Sequence, residues 1–259
     1  MEISSRENRV IKAYRRLTKD AKYRRESGLF VVEGARLCAD AVRSAVVIES
    51  ALVTNRAAVQ YAEIVDAVRV AAKETFEIPD SLATYLGDTD TPQGVFCICR
   101  LPLDELKPEP QGYYAALENI QDPGNLGTMI RTAEAFGFRG ILLSDGCCDP
   151  YSPKVLRSSM GGVFRLPLYI GGSLAEQLPI LEKQGFHSFA CVVDTAATAV
   201  QKTVFPDGSV CVIGNEGNGL TAATVEACSD RITIPMAGRA ESLNASMAAG
   251  IIFWEMIRG

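Results

Sequence analysis

Three short segments gather Asn, Glu, Ser and Gly where an apolar run gives way to a turn. Such residues hydrogen-bond, orient hydroxyls, or let backbone approach a ligand closely. The first is Glu118-Asn119-Ile120-Gln121-Asp122-Pro123-Gly124-Asn125-Leu126-Gly127, followed by a helical pattern that carries Arg131. Asp-Pro-Gly-Asn turns the chain sharply, setting Asn125 at a helix start and Arg131 between one and two turns further on. Taken alone, this segment reads as a capped turn with Arg131 as a surface charge. The second segment, Gly214-Asn215-Glu216-Gly217-Asn218-Gly219, sits between a strand-like run and a helix. Its glycines are spaced GxxGxG, not the GxGxxG of dinucleotide folds, and Glu216 would repel a pyrophosphate, so an adenosine without phosphates fits better. The third, Ile234-Pro235-Met236-Ala237-Gly238-Arg239-Ala240-Glu241-Ser242-Leu243-Asn244, offers backbone donors and acceptors to a base edge before a helix of small residues. That stretch also reads as a tightly packed final helix, and the two readings are compatible.

Composition narrows the chemistry. The only histidine is His187 and the eight cysteines form no CxxC pair, so neither a zinc site nor a disulfide framework is expected; reduced thiols in a cytoplasm are. The longest apolar run, Ala245 to Trp254, is far shorter than a membrane span, and Met1 leads into polar and basic residues without a signal core. The chain therefore reads as cytoplasmic, with no membrane and no metal. Net charge is −5 overall, yet residues 1–36 hold ten Lys or Arg against five Asp or Glu. A basic arm on an acidic body is the asymmetry of a segment that meets phosphate, although a solvated helix face has the same composition.

The elements that position these residues fall into two groups. Strand-like runs at Val31 to Val32, Ala45 to Ile48 and Gly94 to Cys99, with helical patterns at Glu33 to Arg43 and Ala57 to Ala71, predict a small α/β domain over 1–104. Prolines among charges mark a linker over 105–111. From 112 to 259, runs at Tyr113 to Leu117, Gly140 to Leu143, Ser188 to Val193, Val210 to Ile213 and Arg231 to Ile234 alternate with helices. That alternation predicts a mainly parallel sheet covered on both faces, with ligands where strands end in loops. Helices are expected over Asn125 to Phe138 and from Ser242, as N-cap, to Arg258.

In order and in type, the three segments resemble motifs 1, 2 and 3 of the SpoU (TrmH-type) RNA methyltransferases: NIQDPGNLGTMIRTAEAFGF, VIGNEGNGL and IPMAGRAESLNASMAAGI. KYRRESGLFVVEGARL and DTDTPQGVFCIC are similar to the substrate-binding domain that many ribosomal-RNA members carry, so the resemblance spans nearly the whole chain. It implies an α/β parallel-sheet domain with a deep trefoil knot, preceded by a small α/β RNA-binding domain. It implies methyl transfer from S-adenosylmethionine to a ribose 2′-hydroxyl, on large-subunit (23S) ribosomal RNA, by a homodimer that needs no metal. Carried over by position, cofactor-binding residues are Gly214, Asn215, Glu216, Ile234, Met236, Ser242, Leu243 and Asn244. Catalytic residues are Arg131, Asn125, Glu216, Ser242 and Asn244, with Glu216 able to pair with Arg131. In the first domain Arg15, Arg16, Lys19, Lys22, Arg24 and Arg25 are expected to contact RNA phosphates and Tyr23 is able to stack on a base, while Lys154, Arg157 and Arg165 are further RNA-contact candidates near the catalytic face. Three alternatives stay open on sequence: a transfer-RNA methyltransferase, a catalytically silent RNA-binding factor of the same fold, and a dinucleotide-dependent enzyme.

Overall fold

Apolar residues recurring at helical spacing against a mixed sheet build the first unit. The computed structural model describes residues 1–102 and 108–258, so part of the expected linker, 105–107, lies outside the described residues. The chain runs α1 (Arg9–Lys19), α2 (Ala21–Ser27), β1 (Leu29–Glu33), α3 (Ala35–Arg43), β2 (Ile48–Val53), α4 (Asn55–Gln60), α5 (Ala62–Ala71), β3 (Ala72–Glu77), α6 (Asp80–Leu86) and β4 (Val95–Arg100). Strand order is β1-β4-β2-β3, with β2 and β3 parallel and the other pairs antiparallel. Ile11, Tyr14 and Leu17 of α1 are buried in its core, where Tyr14 meets Phe96 edge-on at 5.6 Å. The exposed residues of α1 are Arg9, Lys12, Arg16 and Lys19, which leaves one face apolar and the other cationic.

Several expectations shift here. The helix expected over 57–71 is two helices broken at Tyr61, whose φ of −127° lies outside the helical region. The strand expected at 45–48 begins only at Ile48, because Ala45 turns the chain with φ +54°. Strand β3 has no counterpart among the expected elements: its alternation AKETFE is mostly exposed and charged, as suits a sheet edge. Arg24 is not a phosphate contact, for it is 4% exposed and donates to the carbonyls of Leu17 and Thr18 at the end of α1. Arg15 donates to Tyr85 O (3.0 Å), Lys22 pairs with Glu26, and Arg16 pairs with Asp20 while covering the Tyr23 ring at 4.0 Å, which removes that face of Tyr23 from stacking. Lys19 and Arg25 are exposed without an ion-pair partner among the described residues.

The second unit comprises β5 (Tyr113–Leu117), α7 (Pro123–Ala135), β6 (Gly140–Leu143), β7 (Leu168–Ile170), α9 (Leu174–Lys183), β8 (His187–Cys191), β9 (Thr198–Ala199), β10 (Ser209–Ile213), α10 (Ala222–Ala227), β11 (Asp230–Thr233) and α11 (Ala245–Arg258). Its sheet has seven parallel strands in the order β7-β6-β5-β10-β8-β11-β9. Strands β6 and β10 are buried at every position, as required of parallel strands covered on both faces. The intervening Tyr151–Phe164, with α8 (Pro153–Ser158), groups with the first unit instead, where the Tyr151 ring lies 5.1 Å and the Phe164 ring 6.1 Å from Phe30. Lys154 and Arg157 therefore lie in the first unit. Arg157 is ion-paired to Asp88 (2.8 Å), which engages a guanidinium expected to meet RNA. Arg165 pairs with Glu134 of α7 (2.7 Å).

Replacing Arg24 strips buried carbonyls of their donor. Arg24→Ala is expected to destabilise the chain by roughly 1–3 kcal/mol in urea unfolding, and Lys19→Ala by less than about 0.5 kcal/mol.

Candidate active site at the carboxyl ends of the parallel sheet

Parallel strands all end on the same edge of their sheet, and loops leave together there. From β5 the chain builds outward through β6 to β7, whereas β10 on its other side neighbours β8, so the order reverses between β5 and β10. A crevice at such a reversal is where open α/β sheets bind ligands. Leu117 and Ile213 are paired at the ends of these two strands, and the first and second motif segments follow them directly. The third follows β11.

One side-chain relay joins the three segments. Glu216 accepts through Oε1 from Asp122 N (3.1 Å) and Asn125 Nδ2 (3.0 Å), and through Oε2 from Gln121 N (3.3 Å) and Asn215 Nδ2 (3.4 Å). Asn125 Oδ1 accepts from Asn244 Nδ2 (3.1 Å), and Asn244 Oδ1 accepts from Ser246 N (3.0 Å) and Met247 N (3.2 Å) at the start of α11. An ionised carboxylate only accepts, so it fixes which way the Asn125 amide points, and that fixes Asn244 in turn. Asn215 closes its own turn, pairing through backbone with Gly219 and accepting from Gly217 N (2.9 Å) and Asn218 N (3.1 Å). The turn closes over Gly214, where a Cβ would lie 2.2 Å from Gly219 C and Leu220 N. Gly214 is therefore a packing requirement of the loop.

Gln121, Asp122, Asn125, Asn215, Glu216, Ser242, Leu243, Asn244 and Ala245 line a polar cleft. Ser242 and Leu243 also wall an apolar pocket formed by Cys191, Val192, Val193, Ile232, Thr233, Ile234, Met236, Ala248 and Ile252. The expected residues Asn125, Asn215, Glu216, Ile234, Met236, Ser242, Leu243 and Asn244 are thus brought together across two adjoining pockets. Arg131 is not: it is exposed on α7, lines neither pocket and has no hydrogen-bond or ion-pair partner among the described residues. The expected Glu216–Arg131 pair does not form, because Glu216 is occupied by amide donors. Two caps also differ from expectation. Asp122 caps α7 by accepting from Asn125 N (2.8 Å), with Pro123 opening the helix, and Asn244, not Ser242, caps α11. The Asp-Pro pair carried that first signal, since proline suits the first helical position after an N-cap.

Sequence reasoning passed over Glu118 and Asn119. Glu118 is 6% exposed and accepts from Thr221 N (2.8 Å), Thr221 Oγ1 (3.0 Å) and Thr224 Oγ1 (2.5 Å), which ties the end of β5 to the start of α10. Asn119 has φ +56°. Cys148, half-buried beside this network, has its thiol pushed up to about 12 by burial and by Cys147, Glu216 and Asp122, so it stays protonated and supplies no thiolate nucleophile. Among the described residues no His, Cys, Asp or Glu cluster could hold a metal ion, and no helix is long and apolar enough to cross a membrane.

Burial works to raise the Glu216 carboxyl, but hydrogen bonds from Asn125 and from the backbone around Gln121 and Asp122 outweigh it and hold the group below the ordinary glutamate range. A lowered folded value makes its stabilising contribution complete above the unfolded value of about 4.3 and lost as pH falls through the folded one. Glu216→Gln is accordingly expected to lower stability at neutral pH, and the gap to the unaltered chain should close on acidification through about pH 4. Unfolding curves across that range read this directly, and a gap independent of pH would remove the charged relay.

Comparison with known proteins agrees with this geometry. Residues 112–254 match the SpoU rRNA Methylase family, and residues 8–97 match the MRM3-like substrate binding domain. The chain is 28% identical to a 23S rRNA guanosine-2′-O-methyltransferase of Bacillus subtilis, over 98% of each chain. It is 32% identical to an uncharacterized tRNA/rRNA methyltransferase of Synechocystis, over 99% of this chain and 93% of the other. The AdoMet-bound rRNA methyltransferase from Sinorhizobium meliloti superposes with a TM-score of 0.88 at 30% identity, covering 100% of this chain and 97% of that one. With one family matched over more than half of the chain, and its three motif segments joined in one relay at the sheet's carboxyl edge, the chain belongs to the SpoU rRNA Methylase family.

Proposed function

We propose that this chain transfers a methyl group from S-adenosylmethionine to a ribose 2′-hydroxyl of large-subunit ribosomal RNA. The observation that carries the reading is the relay Glu216–Asn125–Asn244, which gathers the three family motifs around a polar cleft beside an apolar pocket. The pocket suits an adenosine: its walls are apolar, it lies at strand ends that present backbone polar groups, and no charged side chain lines it. A cofactor bearing phosphates would find no cation there, which argues against the dinucleotide-dependent reading. S-adenosylmethionine, when bound, supplies an electrophilic methyl on a sulfonium. Ile234, Met236, Ser242 and Leu243 would hold it.

The chain's own task is to set a ribose oxygen in line with that methyl and to accommodate the proton it sheds. Glu216 is a poor proton acceptor, since four N–H donors occupy its oxygens and its pKa is lowered. Its part is to hold Asn125, and through it Asn244, where their amides meet substrate. A guanidinium stays protonated in proteins, so Arg131 serves as an anchor for the target nucleotide's phosphate and steers the hydroxyl. Arg131 lies six positions after Asn125, which places it about 120° around α7 from the relay. On the family reading, a second copy completes the pocket. Met247, Ile251 and Trp254 of α11 are 63%, 38% and 51% exposed at helical spacing, with Val193 and Leu243 also exposed, an apolar face that a homodimer would bury. The cationic face of α1, with Arg16, Lys19 and nearby Arg25, supplies phosphate contacts that do not read sequence. The knotted threading of the C-terminal chain and a cytoplasmic site of action follow from the same family reading.

Ribose-methylation mapping of ribosomal and transfer RNA from cells with and without the gene tests the proposal, with transfer of labelled methyl by the purified protein. One ribosomal site lost in cells and restored in vitro is expected. A lost transfer-RNA site would reassign the substrate, and no transfer to any RNA would leave a silent binding factor. Arg131→Ala should abolish methyl transfer while calorimetry finds S-adenosylmethionine binding unchanged; loss of both would misplace the anchor. Neutralising Arg9, Arg16, Lys19 and Arg25 together should flatten the salt dependence of RNA binding by about one in log–log slope for each phosphate that these cations neutralise.

A further inference from the structure

Asn119 stands where the ends of three adjacent strands meet, and nothing in the proposed chemistry uses it. It lies two residues past β5 with φ +56°, a left-handed backbone that Asn tolerates and β-branched residues avoid. Its N–H donates to Ser144 Oγ (2.9 Å), the hydroxyl just past β6, and its Oδ1 faces the same hydroxyl at 3.4 Å. Ser144 is 7% exposed, so this anchor is firm. The carbonyl of Asn119 accepts from Asn215 Nδ2 (2.8 Å), the side chain that opens the loop after β10. A Cβ on Gly146 would lie 1.8 Å from Asn119 Oδ1, so the neighbouring loop is shaped to this side chain. Gln121 then donates from its side chain to Gly146 O (2.9 Å) and from its backbone to Glu216.

These contacts share one geometric origin. The left-handed residue reverses the chain after β5, and that reversal aims the N–H groups of Gln121 and Asp122 at the Glu216 carboxylate. An extended or right-handed residue at 119 would turn both donors elsewhere, and Glu216 would lose half of its partners. We infer that Asn119 is a positioning residue, whose left-handed backbone and anchor on Ser144 set the loop after β5 so that it can hold Glu216 and, through it, Asn125 and Asn244.

The test uses the full chain with three single substitutions, Asn119→Gly, Asn119→Val and Glu216→Gln, and the double variant Asn119→Val with Glu216→Gln. Glycine adopts the left-handed conformation freely and should keep kcat within about threefold, whereas valine should lower it by about tenfold or more. Amide hydrogen exchange at Gln121 and Asp122 should accelerate about tenfold in Asn119→Val and stay unchanged in Asn119→Gly. In the double variant, kcat should fall no more than about twofold below Glu216→Gln alone, because the two residues act in series. Additive losses, or unchanged exchange at Gln121 and Asp122 in Asn119→Val, would overturn the assignment. If Asn119→Val does not fold, Asn119→Ala carries a smaller left-handed penalty and should shift kcat and exchange in the same direction by less. The kinetic arm rests on the methyl-transfer reading, while the exchange arm does not. A chain that methylates no RNA would therefore sink the first and leave the second decisive.

Discussion

The carboxylate of Glu216 is the point on which the second unit's site depends. Each of its oxygens receives two N–H donors, from the loop after β5, from α7 and from its own loop, so one side chain holds together segments almost a hundred residues apart in sequence. A neutral group could not do this in the same way, because it would carry donors of its own that face donors. The negative charge also orders the relay, since each amide must turn its NH2 toward the acceptor before it. Orientation thus passes from Glu216 to Asn125 to Asn244 and ends in the first turn of α11. The cost of partly desolvating the charge is met by these donors, and for that reason its pKa lies below the ordinary value.

That arrangement needs a sheet whose strands finish together. Seven parallel strands deliver their carboxyl ends to one edge, and the reversal of order between β5 and β10 leaves room there. Two buried or half-buried polar residues then lock the edge. Glu118 fastens the start of α10 through Thr221 and Thr224, and Asn119 fastens the turn after β5 to Ser144. The division of labour is clear from exposure: Glu118 and Ser144 are buried and structural, whereas Asn125, Glu216 and Asn244 face the cleft.

The first unit handles charge by a different rule. Its cations are sorted by solvent access: Arg24 turns inward onto carbonyls, Arg157 is engaged by Asp88, and the outer face of α1 is left cationic. An interior guanidinium must be fully hydrogen-bonded to be tolerated, and the unwound end of a helix supplies the acceptors. A basic segment therefore contributes fewer phosphate contacts than its composition promises.

Periodicity in the sequence was enough to determine the class of architecture, although β7 and β9, like β3, had no counterpart among the expected strands. The parallel α/β unit follows from apolar runs alternating with helical patterns, and the functional segments follow from Asn, Glu, Ser and Gly at strand ends, since these features are local and set by side-chain chemistry alone. The same locality explains what was missed. Strand β3 is too polar to stand out, and the break at Tyr61 leaves apolar spacing intact. Asn119 and Glu118 looked like turn residues, because their importance lies in contacts to Ser144, Thr221 and Thr224, distant in sequence. Which arginines are free was equally illegible. Arg24 and Arg25 are adjacent and identical in type, and only the packing of α2 against the end of α1 buries one and exposes the other. Residue types determined what chemistry was possible here, and tertiary structure decided which side chains were available to perform it, because burial and partnership belong to the folded surface.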